Sequence, residues 1–161
     1  MDEKRIPILV GSGQITQREQ DPLVAQSPMD LTASAGFKAA DDTHIGKSIL
    51  KKLDTIVVIR SFSDTSWRFK CPFGKYSNPP LSLSKRLGAE KVNRLIYTYP
   101  GGNMPQWCVN RMFEMITKGE IEIGMIAGGE ALATQKAAQR ANLILNWNEE
   151  IGNYYEKWGI E

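Results

Sequence analysis

Histidine and cysteine are scarce in this chain. His44 stands alone, and the two cysteines, Cys71 and Cys108, lie far apart. Neither makes a CxxC pair or a zinc-ligand spacing, so no metal site of that kind is expected. Any Ser-His or Cys-His dyad would have to use His44, which sits in the polar stretch DDTHIGKS, a helix end or loop. Two unpaired thiols fit a reducing compartment, and a cytoplasmic location is expected. The start, MDEKRIP, lacks the apolar core of a secretory signal, and no apolar run approaches the ~18 residues of a membrane span. Charge is also short on one-sidedness. Twenty basic and eighteen acidic residues leave +2, which gives no general pull toward nucleic acid or anionic membrane. What remains is a chain of 161 residues, 42% hydrophobic and 24% charged, in the ordinary range of one soluble globular domain.

Within that chain, short β-rich runs alternate with helical stretches. IPILV (6–10) reads as a strand closed by Gly11 and Gly13. Ser27 or Asp30 can cap a helix to about Ala40, with Leu31, Ala35 and Ala39 on one face. TIVVI (55–59) is a β-branched run of the kind covered on both faces. Leu81–Leu87 forms a short helix after Pro79 and Pro80. LIYTY (95–99) is a third strand, Asn103–Lys118 a helix stopped by Gly119, and Ile121–Ala127 a fourth strand. A last helix is expected over Thr134–Leu145, and the tail 147–161 shows no clear closing strand. This alternation predicts an α/β fold of layered type with a mainly parallel sheet. The loop 61–80 is long and irregular, as functional or interface loops often are.

Two glycine motifs fail on inspection. VGSGQIT begins like a dinucleotide fingerprint, but Thr16 replaces the third glycine and no helix follows. Gly46-Lys47-Ser48 ends like a phosphate-binding loop, but Asp41 stands where the earlier glycine belongs, and a carboxylate there repels phosphate. A third feature survives. Between Trp67 and Arg94 the chain carries seven cations and one acid, a local +6, interleaved with Trp67, Phe69, Phe73 and Tyr76. Such a segment can be a solvated loop, can contact an anionic carrier or partner, or can stack single-stranded nucleic acid.

The sharpest run begins at Leu95: LIYTYPGGNMPQWCVNRMFEMITKGEIEIGMIAGGEA. It reads as strand, tight turn, helix, strand. Pro100-Gly101-Gly102 turns the backbone, Asn103 is a candidate N-cap, and Pro105 fits the first helical turn. Free amides and the positive dipole end then face out of the turn, suited to an anion or thiolate. Apolar residues surround most of this helix, which predicts burial between layers.

Here the chain resembles the thiolase superfamily around its nucleophile helix. Ile116, Gly119 and Gly128-Gly129-Glu130 follow in the family's order. RIPILVGSGQ resembles the first thiolase strand, DLTASAGFKAA the first helix, and LDTIVVI the second strand. Gly-Gly-Asn-x-Pro-Gln is most similar to the thiolase-like and SCP2-thiolase-like proteins often called acetyl-CoA acetyltransferases. The likeness covers about residues 5–145.

The resemblance implies the N-terminal part of a layered αβαβα fold. It implies acyl transfer on coenzyme A thioesters, with acyl-CoA as substrate and no covalently bound cofactor. Substrate contacts would fall on Gly101, Gly102, Asn103 and Gln106. It also implies a homodimer through 95–99 as an edge strand, with a C-terminal half completing the site. Counting back from Ile116 and Gly119 puts Gly102 at the nucleophile-equivalent position, so no catalytic residue is assigned. Cys108, two turns into the helix, is read as a core residue. The isolated chain is then expected to be inactive. The alternative is a non-catalytic thiolase-like protein that binds CoA esters or a partner. No nucleic acid, membrane or metal is expected.

Overall fold

The computed structural model describes residues 5–159. Four helices and four strands carry the fold: α1 (Pro28–Asp41), β1 (Thr55–Val58), α2 (Pro79–Leu87), β2 (Arg94–Thr98), α3 (Met104–Lys118), β3 (Gly124–Ala127), α4 (Leu132–Arg140) and β4 (Glu156–Trp158). The strands form one parallel sheet in the order β3-β1-β2-β4. The chain thus steps from β1 to β2 on one side and returns past β1 to β3. α1 and α2 cover one face, where Ile56, Val58 and Tyr97 meet Met29, Leu83 and Leu87. α3 covers the other, where Val57 and Ile96 meet Met104, Cys108, Met112 and Met115. Alternate residues of each strand therefore serve opposite layers, as the period of two requires.

Local chemistry explains most element ends. Ser27 caps α1 by accepting the Asp30 N–H, and Pro28 fills the first turn. Asn78 caps α2 the same way through the Leu81 N–H. α3 stops at Gly119, whose φ of +73° suits glycine, with the Glu120 amide turned back to the Met115 carbonyl.

Several expectations need correction. Residues 6–10 form no strand among the described residues, and Ile8 and Leu9 are 70% and 80% exposed. The cause is downstream. A Cβ on Gly13 would lie 2.3 Å from the Ala35 carbonyl oxygen, so the chain is pressed along α1 instead of entering a ladder. β3 begins at Gly124, because Asp54 Oδ2 takes the Glu122 and Ile123 amides into a loop. α4 ends at Arg140, and Asn142 follows at φ +52°. The tail does supply a closing strand. β4 pairs with β2, Ile96 opposite Glu156 and Thr98 opposite Trp158. The 95–99 segment is therefore an interior strand with neighbours on both sides, and the open edge expected for dimer pairing is occupied. α3 is buried on its sheet side only: Phe113 on the far side is 38% exposed.

The 61–80 loop is ordered by the tail. The Trp147 N–H donates to the Phe73 carbonyl at 2.7 Å, and the Glu149 N–H to the Lys75 carbonyl at 3.0 Å. Cys71 and Phe73 pack with Ala138, Leu143 and Trp147 in a small satellite core. Arg86 clamps the region, reaching Asp30 at 2.7 Å and Glu149 at 2.8 Å. Partial burial raises the Asp30 pKa, but the hydrogen bonds and charge of Arg86 and Ser27 outweigh it and hold the carboxyl below its ordinary value. A lowered folded pKa contributes stability above the unfolded value, near 3.9, and loses it as pH falls through the folded one. Arg86→Met should therefore unfold at lower urea than the parent at pH 7. The gap between the two midpoints should narrow at pH 3, and a gap of equal size at both would contradict the role of Asp30.

Candidate functional site

Two features lie at the carboxyl end of the parallel strands, the end where open α/β sheets bind ligands. The first is the turn from β2 into α3. The Met104 N–H donates to the Gly101 carbonyl at 3.1 Å, and the first helical bond runs from the Trp107 N–H to the Asn103 carbonyl at 3.0 Å. Gly101, Gly102, Asn103 and Gln106 are all exposed, so the structure brings these four together on one surface turn. Pro105 has no N–H and the Met104 and Trp107 N–H groups are taken, which leaves the Gln106 N–H without a backbone acceptor at the positive end of the helix dipole.

Two details differ from expectation. Asn103 holds the N-cap position, but its side chain caps nothing and lies over Gly101, where a Cβ would come within 2.8 Å of its Oδ1. Gln106 donates along the helix to Asn110 at 3.0 Å. Gly102 is different in kind. Its φ lies outside the left-handed region, and no atom lies within 4 Å of a Cβ built there. The backbone tolerates a side chain at the position, and the sequence supplies none.

Among the described residues, neither cysteine is presented beside this turn. Cys108 is fully buried against the sheet, and burial pushes its thiol up to about 11. Cys71 sits in the satellite core, its thiol raised first by burial and further by the Asp64 and Glu130 carboxylates. His44 is exposed in the connection between α1 and β1. These three residues share no site, and no cluster of metal-ligating side chains exists among the described residues.

The second feature is a cavity on the α1 side of the sheet, lined in part by Thr32, Asp64, Cys71, Tyr97, Glu130 and Gln135. Its volume, about 40 Å³, admits about three waters. Its polar wall fastens the 61–70 loop. Tyr97 Oη donates to Asp64 Oδ2 at 2.7 Å and accepts the Ser61 N–H at 3.2 Å. Arg60 Nε donates to the Thr98 carbonyl at 2.7 Å, and its guanidinium lies 4.4 Å over the Tyr97 ring. Glu130 accepts the Phe62 N–H. Although Glu130 keeps part of its surface exposed, burial of its carboxyl raises its pKa against that hydrogen bond. Burial and the Asp64 charge likewise push the Tyr97 phenol up, so it stays a donor. In the sequence Glu130 stands out only as part of Gly-Gly-Glu and nothing marks Asp64 or Tyr97, because their partners are joined by folding alone.

Against solved structures, the fold matches a monomeric SCP2-thiolase-like protein type 1 from Mycobacterium smegmatis, with a TM-score of 0.65 and 25% sequence identity. The match covers 80% of this chain and 24% of that one. The chain has a thiolase-like fold. No protein-family model and no curated protein matches the sequence. Within this thiolase-like framework the chain spans about a quarter of the solved relative.

Proposed function

We propose that this chain is the N-terminal portion of a thiolase-like acyl-CoA acyltransferase and that the Gly101–Gln106 turn faces the acyl thioester. The observation that carries the reading is the exposed first turn of α3 at the carboxyl end of a parallel sheet with this fold. The Gln106 N–H and the positive end of the helix dipole suit the oxygen of a thioester carbonyl, which gains negative charge as the carbonyl is attacked. Acyl-CoA is the substrate class, and no covalently bound cofactor is required. The nucleophile is not supplied by this turn, so chemistry would draw on groups outside these 161 residues, and the isolated chain is inactive.

A second reading has its own support. A glycine in open space at position 102, with Cys108 buried two turns away, favours a thiolase-like protein that binds CoA esters without turnover.

Both readings expect acetyl-CoA to slow amide exchange across residues 101–107 and to leave no acyl group on Cys71 or Cys108 by intact mass. Unchanged exchange at the turn would sink the site. A stable acyl adduct on Cys108 would overturn its place in the core and restore a covalent mechanism.

A further inference from the structure

We infer that the loop tip from Phe62 to Lys70 is a docking platform for a phosphorylated purine nucleotide, with Trp67 stacking on the base and Arg68 and Lys70 meeting the phosphates. Trp67 is 82% exposed although it belongs to a loop anchored on both sides. On one side Asp64 is held by Tyr97 and the Phe62 amide by Glu130. On the other, Cys71 and Phe73 are buried in the satellite core. The tip itself is stiff. Phe62 and Phe69 pack ring on ring, with centroids 4.1 Å apart. Thr65 Oγ1 donates to the Phe62 carbonyl at 2.7 Å, and the Arg68 N–H donates to Ser66 Oγ at 3.1 Å. An indole displayed on such a frame loses little freedom on stacking, the condition for useful affinity from one ring.

Charge selects the ligand. The Arg68 guanidinium lies 5.6 Å from the Trp67 ring centroid, so cation and stacking surface are already adjacent. Lys70 is exposed two residues on. The two nearby acids are exposed, but one oxygen of each is engaged, Asp64 by a phenol and Glu130 by an amide. The exposed Trp67–Lys70 segment carries two cations and two aromatic rings and no acid, complementary to a base with phosphates attached. A membrane fits less well. In F-S-D-T-S-W-R-F-K a polar or charged residue follows each aromatic ring, and no aliphatic side chain is present to enter a bilayer. For the identity of the nucleotide the inference rests on the acyl-CoA reading: the nucleotide end of coenzyme A is a purine carrying a 3′-phosphate and a 5′-diphosphate.

The test uses the whole chain in calorimetric titrations with adenosine 3′,5′-bisphosphate, ADP, and S-acetylpantetheine, which lacks the nucleotide. The bisphosphate should bind, Trp67→Ala should weaken it about tenfold, and Trp67→Phe should restore most of the loss. Arg68→Gln with Lys70→Gln should weaken it and flatten its salt dependence. Because Trp67 is so exposed, Trp67→Ala should keep the parent's melting temperature. Tighter binding of the bisphosphate than of ADP identifies the coenzyme A end as the ligand, and equal binding identifies a general purine nucleotide. If S-acetylpantetheine fails to bind while the bisphosphate binds through Trp67, the acyl-CoA reading falls and the platform stands. No binding of either nucleotide, equal binding by Trp67→Ala, or a single-stranded RNA bound far more tightly than the mononucleotides would overturn the inference.

Discussion

Gly102→Cys should create the one fast-reacting thiol in this protein. Nothing lies within 4 Å of a Cβ at that position, and its backbone is outside the left-handed region, so the side chain enters without strain. It would stand at the N-terminal, positive end of α3, where thiol pKa values fall to about 3.5–7.5. The native thiols are poor competitors. Cys108, pushed up to about 11 and fully buried, holds only about one thiolate in ten thousand at pH 7. Iodoacetamide at pH 7 should add one adduct, at position 102, roughly a thousandfold faster than at Cys108 in the folded protein. The pH profile separates this from mere exposure. An ordinary thiol loses about tenfold in rate for each unit below pH 8, whereas a thiol at the helix end should change little between pH 8 and 7. A profile like that of free cysteine would show that the turn does not stabilise negative charge. It would then remove the physical basis for seating a thioester oxygen there.

Trp158→Ala should be among the most destabilising single changes, with a loss of about 3–5 kcal/mol. Trp158 is only 7% exposed, closes the α3-side core and meets Trp107 edge-on at 6.0 Å between ring centroids. Its carbonyl also receives the Tyr99 N–H at 2.7 Å. Lys157→Ala, one residue away on the exposed side of the same strand, should stay within about 0.5 kcal/mol of the parent. Urea unfolding of both variants decides the matter. A loss below about 1 kcal/mol for Trp158→Ala would mean that β4 is an ornament on the sheet and that β2 is functionally an edge, reopening the pairing surface once expected there.

The sequence made some elements plain because the signal was local. TIVVI needed only its β-branched run, α1 its Ser27 cap, and α3 its Gly119 stop. The parallel α/β class followed from their alternation. β4 was hidden because three residues, Glu-Lys-Trp, show no period, and their strand state comes wholly from β2. IPILV erred the other way. Its composition favours a strand, but Gly13 is packed against α1 too closely to let the neighbouring chain join the sheet. At the candidate site the turn residues were legible as a contiguous motif, and Gly102 stood out by the side chain it lacks. The anchoring of the 61–70 loop was not legible, since Asp64 with Tyr97 and Phe62 with Glu130 are long-range pairs that no spacing announces.

The strand order also bears on how the chain reaches this state. Every ladder joins distant segments: Thr55 with Arg94, Thr55 with Gly124, and Ile96 with Glu156. None can form as a local hairpin, so chain closure must come before any sheet hydrogen bond, and folding should be slow for a domain of this size. β1 with β2 has the shortest loop to close and is the natural nucleus. β4 is the last of the four strands and docks against a β2 that must already be in place. During synthesis the β2 edge therefore stays open until Glu156–Trp158 emerge. That interval, more than the finished fold, is when the chain is exposed to aggregation and most in need of a chaperone.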